Sequence, residues 1–227
     1  LFRSEVFATI QGEGLLAGVP SLFIRTSGCN LRCHWCDTPY TSWNPEGDDW
    51  SLDRLLDWTA AHPAFRHVVL TGGEPLIQPQ LPDLTQALHA RGLHITIETA
   101  GTVAAPVVCD LMSISPKLAN STPWQRDPQW AIRHENARIH RPALRQLTQN
   151  HDYQLKFVVQ TENDLPEIES LAQELNAPPD KILLMPEGLD EPTLRARALP
   201  LVELCKSRGY RYCPRLHIHL WGPRRGV

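Results

Sequence analysis

The chain has little net charge, no long apolar run and no cysteine framework, and each of these absences removes a class of function. Its 22 Lys and Arg against 25 Asp and Glu leave a formal charge of −3, without the basic footprint that nucleic-acid binding draws on. The apolar runs are far too short to span a bilayer, and a secretory h-region is missing, so the expectation is a cytoplasmic protein with no membrane partner. No internal repeat is present. Of six cysteines, Cys109, Cys205 and Cys213 are scattered among apolar residues without framework spacing; they read as buried core thiols and not as parts of a disulfide scaffold. Proline is abundant, at 20 residues, but is spread through turns and helix starts, so no linker divides residues 1–227. That length suits one domain with a substantial core, and the remaining partner class is a small molecule.

What is present is concentrated in Gly28-Cys29-Asn30-Leu31-Arg32-Cys33-His34-Trp35-Cys36-Asp37-Thr38. The spacing C-x3-C-x2-C supplies three thiolates from one short loop. Thiolates are soft ligands that select zinc, copper(I) or iron–sulfur clusters. A structural zinc site needs four protein ligands, and although His34 lies inside the motif, no second C-x-x-C or H-x-x-x-H pair stands where a finger or ribbon requires it. A four-iron cluster held by three cysteines has one iron that the protein leaves open, and an open iron binds a cofactor.

Short runs rich in β-branched residues alternate with amphipathic stretches, the pattern of βα units around a parallel sheet. Strands are expected over residues 21–26, 67–71, 94–98, 110–115, 154–159 and 181–185, with a last extended segment near 210–218. Helices are expected over 51–62, 79–91, 164–176 and 192–208, with Ser51 as a cap and Gly92 and Gly209 just past two helix ends. Residues 118–151 read as a variable insertion or long crossover containing an Arg- and His-rich helical stretch, and Thr122 to His134 receive no role. The unusual residues fall at strand C-termini: the cysteine loop, then Thr71-Gly72-Gly73-Glu74-Pro75, Glu98-Thr99-Ala100-Gly101-Thr102, Ser115-Pro116-Lys117 and Met185-Pro186. That edge holds the active site in barrels and open parallel sheets. The fold class is therefore α/β, a partial βα barrel of about six parallel strands, whose open side needs cover from the N-terminal segment, the insertion or a partner subunit.

The cysteine loop with Trp35 before its last cysteine, together with Gly72-Gly73-Glu74-Pro75, resembles the radical S-adenosylmethionine superfamily. Phe7-Ala8-Thr9-Ile10-Gln11-Gly12-Glu13-Gly14, Phe23-Ile24-Arg25, Cys36-Asp37-Thr38, Ile97-Glu98-Thr99-Ala100-Gly101-Thr102, Ser115-Pro116-Lys117 and Leu216-His217 to Trp221-Gly222 narrow the likeness to the 7-carboxy-7-deazaguanine synthase family. The resemblance implies a [4Fe-4S] cluster on Cys29, Cys33 and Cys36, S-adenosylmethionine on its open iron, and the conversion of 6-carboxy-5,6,7,8-tetrahydropterin to 7-carboxy-7-deazaguanine with loss of ammonia, as in queuosine and deazapurine biosynthesis. In that family a 5′-deoxyadenosyl radical abstracts hydrogen from the pterin carbon bearing the carboxylate. Mg2+, an external one-electron reductant and a homodimer are implied as well.

The same resemblance distributes roles. Trp35, Gly72, Gly73, Glu74, Thr102, Ser115, Lys117 and Met185 fall to the S-adenosylmethionine side, and glycines there let the backbone approach closely. Gln11, Glu13, Arg25, Thr99, His217 and the terminal Val227 fall to the substrate, with Thr38 as the Mg2+ ligand. An amide and a carboxylate suit the pterin's amino and oxo edge. Arg25, a charge inside an apolar strand, matches a substrate carboxylate, or else makes a structural ion pair to Glu5 or Asp37. His217 and His219, two apart on an extended segment, are expected on one face. Two rivals stay open: a radical activase that makes a glycyl radical on a partner protein, and a non-catalytic zinc- or cluster-binding protein.

Overall fold

The alternation of strand and helix becomes one nine-stranded sheet in the computed structural model, which describes residues 2–227, with side chains from Glu5 onward. The strands are β1 (Phe2–Ile10), β2 (Pro20–Thr26), β3 (Asp48–Trp50), β4 (His67–Gly72), β5 (His94–Thr99), β6 (Leu111–Ile114), β7 (Tyr153–Val159), β8 (Ile182–Pro186) and β9 (Arg211–Tyr212), in the spatial order β3-β1-β2-β4-β5-β6-β7-β8-β9. From β2 to β9 every neighbour pairs parallel, whereas β1 lies antiparallel between β2 and β3. The N-terminal segment thus covers the β2 edge by strand pairing, one of the covers expected from the sequence.

The helices are α1 (Pro39–Ser42), α2 (Leu52–Ala60), α3 (Leu81–Ala90), α4 (Pro128–Ala137), α5 (Arg141–Asn150), α6 (Leu165–Glu174), α7 (Glu191–Arg208) and α8 (Leu216–Trp221). Their apolar faces cover the parallel strands, which is why strands such as His-Val-Val-Leu-Thr-Gly are buried almost throughout and do not alternate. Leu22, Ile24, Leu70, Ile97 and Phe157 have no exposed surface, and each such side chain contributes roughly 1.5–3 kcal/mol by leaving water. The punctuation follows the expected chemistry. Ser51 Oγ accepts from Arg54 N–H at 3.2 Å to start α2, and Gly209 ends α7 at φ 69°, a conformation cheap for glycine.

The six long parallel strands fall where the sequence puts them, to within one or two residues. The C-terminal segment does not. Arg211 and Tyr212 pair with β8, Cys213 N–H adds one bond to Leu184 O at 2.8 Å, and residues 216–221 form α8. Pro214 has no N–H to continue the ladder, and Leu216 N–H donates to Gly12 O at 2.9 Å, turning the chain back over the site. His217 and His219 therefore point to different sides of a helix; His217 is half-buried and His219 is exposed. Residues 118–151 form the crossover from β6 to β7, carrying α4 and α5, with Leu144 and Leu147 of α5 in the core.

Candidate active site

The C-terminal ends of β2 and β4 to β8 surround a cavity of about 210 Å3, whose walls include Cys29, Cys33 and Cys36. The cysteine loop reaches it because two backbones pack against each other. A Cβ on Gly72 would meet Thr26 O at 2.0 Å, and one on Gly73 would meet Gly28 O at 2.2 Å. Gly73 N–H donates to Thr26 O at 3.0 Å and Glu74 N–H to Gly28 O at 2.9 Å, so the Gly-Gly turn is seated directly on the start of the cysteine loop. The two motifs are one structural unit.

Burial pushes the Cys29 thiol up to about 11 and raises the Cys33 thiol further, so in the metal-free chain both hold their protons at neutral pH and give them up on ligating a metal. Among the described residues, no three His, Cys, Asp or Glu side chains converge as the ligands of a single ion would. The three thiols share the cavity wall, and Cys213, 1% exposed, does not line it to act as a fourth ligand of the kind a structural zinc site needs.

The same cavity holds a nearly closed set of charges. Glu13 pairs with Lys156 and, at 3.0 Å, with Arg215, which also reaches Asp37 at 2.5 Å. Burial alone would raise the Glu13 pKa, but the two cations beside it hold its carboxyl far below the ordinary range, while Lys156 and Arg215 are held more firmly protonated by their carboxylates. His217 sits 4.0 Å from Glu13, and burial lowers its pKa against that pull. The Gln-Gly-Glu-Gly turn is shaped for this contact: a Cβ on Gly12 would meet His217 Nδ1 at 2.1 Å. Gln11 donates through Nε2 to Glu98 at 3.1 Å, and Thr71 donates to the same carboxylate at 2.8 Å. Arg25 lines the cavity with its Nε 3.3 Å from Glu5, so the structural ion pair and the cavity position hold together.

Most residues singled out in the sequence meet in this cavity. Trp35, Thr38, Gly72, Gly73, Thr99, Ser115, Lys117 and Met185 line it with Gln11, Glu13, Arg25, His217 and Val227. Lys117 Nζ donates to Ser115 O at 2.7 Å and to Ser115 Oγ at 2.9 Å, which ties these two together. Glu74 and Thr102 stand behind the wall. Fully buried, Glu74 accepts from Thr99 Oγ1 and Ala100 N–H, each at 2.8 Å, and so braces the loop after β5. Thr102 exchanges hydrogen bonds with the Asn30 amide next to Cys29. Lys156, Arg215 and Glu98 also line the wall, beyond the residues expected from the sequence. Lys156 carried the same signal as Arg25, a charge inside an apolar strand; Arg215 carried none.

Comparison with known proteins agrees with this geometry. The Radical SAM superfamily matches residues 23–116. The chain is 47% identical to 7-carboxy-7-deazaguanine synthase of Rhodopirellula baltica, covering 100% of this chain and 89% of that one. It is 46% identical to the enzyme of the same name from Halobacterium salinarum, covering 96% and 89%. The crystal structure of QueE from Escherichia coli superposes with a TM-score of 0.71 at 29% identity, covering 95% of this chain and 94% of that one. A three-cysteine loop seated on a Gly-Gly turn, a set of charges lining the same cavity, and full-length likeness to these synthases place the chain in the 7-carboxy-7-deazaguanine synthase family of radical SAM enzymes.

Proposed function

We propose that residues 1–227 form one catalytic unit converting 6-carboxy-5,6,7,8-tetrahydropterin to 7-carboxy-7-deazaguanine with loss of ammonia, in the route to queuosine and related deazapurines. The observation that carries this is that Cys29, Cys33 and Cys36 line one cavity together with the Gln11, Glu13 and Arg25 constellation. A [4Fe-4S] cluster on the three thiolates with bound S-adenosylmethionine supplies the radical that such chemistry needs. Everything else falls to the chain's own side chains.

On the cofactor side, Gly72 and Gly73 offer backbone at close approach, Ser115 and Lys117 polar contacts, and Trp35 and Met185 apolar surface. On the substrate side, Arg25 suits the pterin carboxylate, while Gln11, Thr99 and the neutral ring of His217 suit the amino and oxo edge. Glu13 meets that edge as a charge held in place by Lys156 and Arg215. Val227 adds apolar surface to the wall. Thr38 Oγ1 provides a hydroxyl for Mg2+, which uses few protein ligands when the substrate supplies the rest.

An external one-electron reductant, a homodimer and a cytoplasmic setting complete the proposal; among the described residues no helix is long and apolar enough to cross a membrane. A walled cavity and relatives sharing one enzyme name favour a small-molecule substrate over a partner protein's glycine. Titrating Mg2+ into the reconstituted, reduced enzyme tests the metal reading. Thr38→Ala is expected to need about tenfold more Mg2+ for half-maximal product formation, the effect of losing one charge-assisted ligand. An unchanged Mg2+ requirement would remove Thr38 from the role.

A further inference from the structure

Between Cys29 and Cys36 the backbone has no regular secondary structure to hold it. Much of what holds it comes from the crossover after β6, a region with no motif. His34 N–H donates to Ser121 O at 2.7 Å, Trp35 Nε1 to Asn120 O at 3.1 Å, and Arg32 N–H to His134 Nδ1 at 3.1 Å. Arg32 is thereby fixed from both ends: its guanidinium stacks 4.3 Å from the Trp130 ring and donates to Cys29 O and Leu31 O, each at 2.7 Å.

His134 on α4 has no exposed surface. Because Nδ1 accepts a backbone N–H, the ring proton belongs to Nε2, which lies 2.9 Å from Ser121 Oγ. The Ser121 hydroxyl in turn donates to Leu118 O at 2.6 Å. The result is a relay of one polarity, Arg32 N–H to His134 to Ser121 to Leu118 O, that links the peptide just before Cys33 to the start of the crossover. A neutral ring is required throughout, and burial provides it by lowering the ring's pKa to about 4.

We propose that His134, held by Ser121, is a positioning residue for the cluster-bearing loop, fixing the Arg32 peptide so that the three thiols keep the spacing a cluster needs. This rests on the reading that Cys29, Cys33 and Cys36 bind a cluster. The grip on that cluster is then set partly by a crossover helix that never touches substrate.

Two variants separate positioning from packing. In His134→Asn, the side-chain oxygen stands where Nδ1 stood and can take the Arg32 N–H. In His134→Gln, the amide reaches toward Ser121 but leaves that N–H unpaired. Iron release to a chelator from anaerobically reconstituted protein is the readout, with Tm of the metal-free proteins alongside. The relay predicts release about tenfold faster for His134→Gln, the cost of one unpaired buried donor, and within about twofold of wild type for His134→Asn. Ser121→Ala, which frees the ring to turn, is expected near threefold and carries the test if His134→Gln does not fold. A packing role predicts the opposite order, since Asn leaves the larger void. Equal release from both variants, an Asn variant worse than Gln, or a Ser121→Ala rate equal to wild type would overturn the proposal. Wild-type protein that takes up no iron would bring down the cluster reading itself, and the relay with it.

Discussion

Replacing Lys156 with methionine removes one of the two cations that hold Glu13 while keeping an unbranched side chain one atom shorter. The Lys156 and Glu13 side chains are 7% and 14% exposed, so the pair is poorly screened, and breaking such a buried pair costs about 3–5 kcal/mol. Arg215 stays 3.0 Å from the other side of the carboxylate and keeps part of the compensation. The expected loss is therefore about 2–3 kcal/mol, which for a chain of this size lowers Tm by roughly 5–10 °C. The pH dependence has a definite sign. A carboxylate whose folded pKa is depressed contributes stability that is complete above its unfolded value, near 4.5, and is lost as the pH falls through the folded value. Without Lys156 the folded value rises, so the variant loses this contribution at higher pH than wild type does. Urea denaturation of the metal-free protein at pH 7, run as a double-mutant cycle with Glu13→Gln, should give a coupling of at least about 1.5 kcal/mol. Coupling below about 0.5 kcal/mol, within the error of additivity, would refute the claim that Lys156 holds the Glu13 charge.

Gly73→Ala places a Cβ 2.2 Å from Gly28 O and 2.8 Å from Thr41 O, both backbone atoms that cannot give way without moving the cysteine loop. Stability should fall by about 1–3 kcal/mol and product formation by about 100-fold, and a near-normal rate would contradict the close-approach account. At the opposite end of the strands, His67 is buried between Ser21 Oγ at 2.6 Å and Thr96 Oγ1 at 2.8 Å, and burial, with His94 beside it, lowers its pKa to about 4. The unfolded chain binds this proton below about 6.5 while the folded one does not. Stability should thus drop by something on the order of 3 kcal/mol between pH 6.5 and 4, and His67→Gln should flatten that slope in urea melts. Arg225 stacks 3.9 Å from the Tyr40 ring and pairs with Glu5 and Glu46 at 2.8 and 3.1 Å, anchoring the segment that carries Val227 to the cavity wall. Since such half-exposed pairs stabilise by less than about 1 kcal/mol, Arg225→Ala should leave Tm nearly unchanged yet raise KM for the pterin. A Tm fall without a KM change would show the anchor to be merely structural.

The parallel sheet and the cavity wall are legible in the sequence because each depends on local features. Apolar β-branched runs give the strands, and polar or glycine residues just past them mark the edge where loops converge. Three kinds of information lie elsewhere. The Leu216 to Leu220 alternation has the period of a strand, yet Pro214 and the Leu216–Gly12 hydrogen bond make it a helix, which is tertiary context overriding pattern. Glu74 and Thr102 belong to the right loops, but which side of a loop faces the cavity is set by partners far along the chain, Thr99 for one and Asn30 for the other. His134 has no legible role because its partner, the Arg32 peptide, is 102 residues away and offers only a backbone N–H.

The most direct test is anaerobic incubation of the reconstituted, reduced protein with S-adenosylmethionine, Mg2+ and 6-carboxy-5,6,7,8-tetrahydropterin, followed by mass spectrometry. The account predicts 7-carboxy-7-deazaguanine from the wild-type chain and none from Cys33→Ala. Cleavage of S-adenosylmethionine without that product, by a protein carrying its full complement of iron, would contradict it.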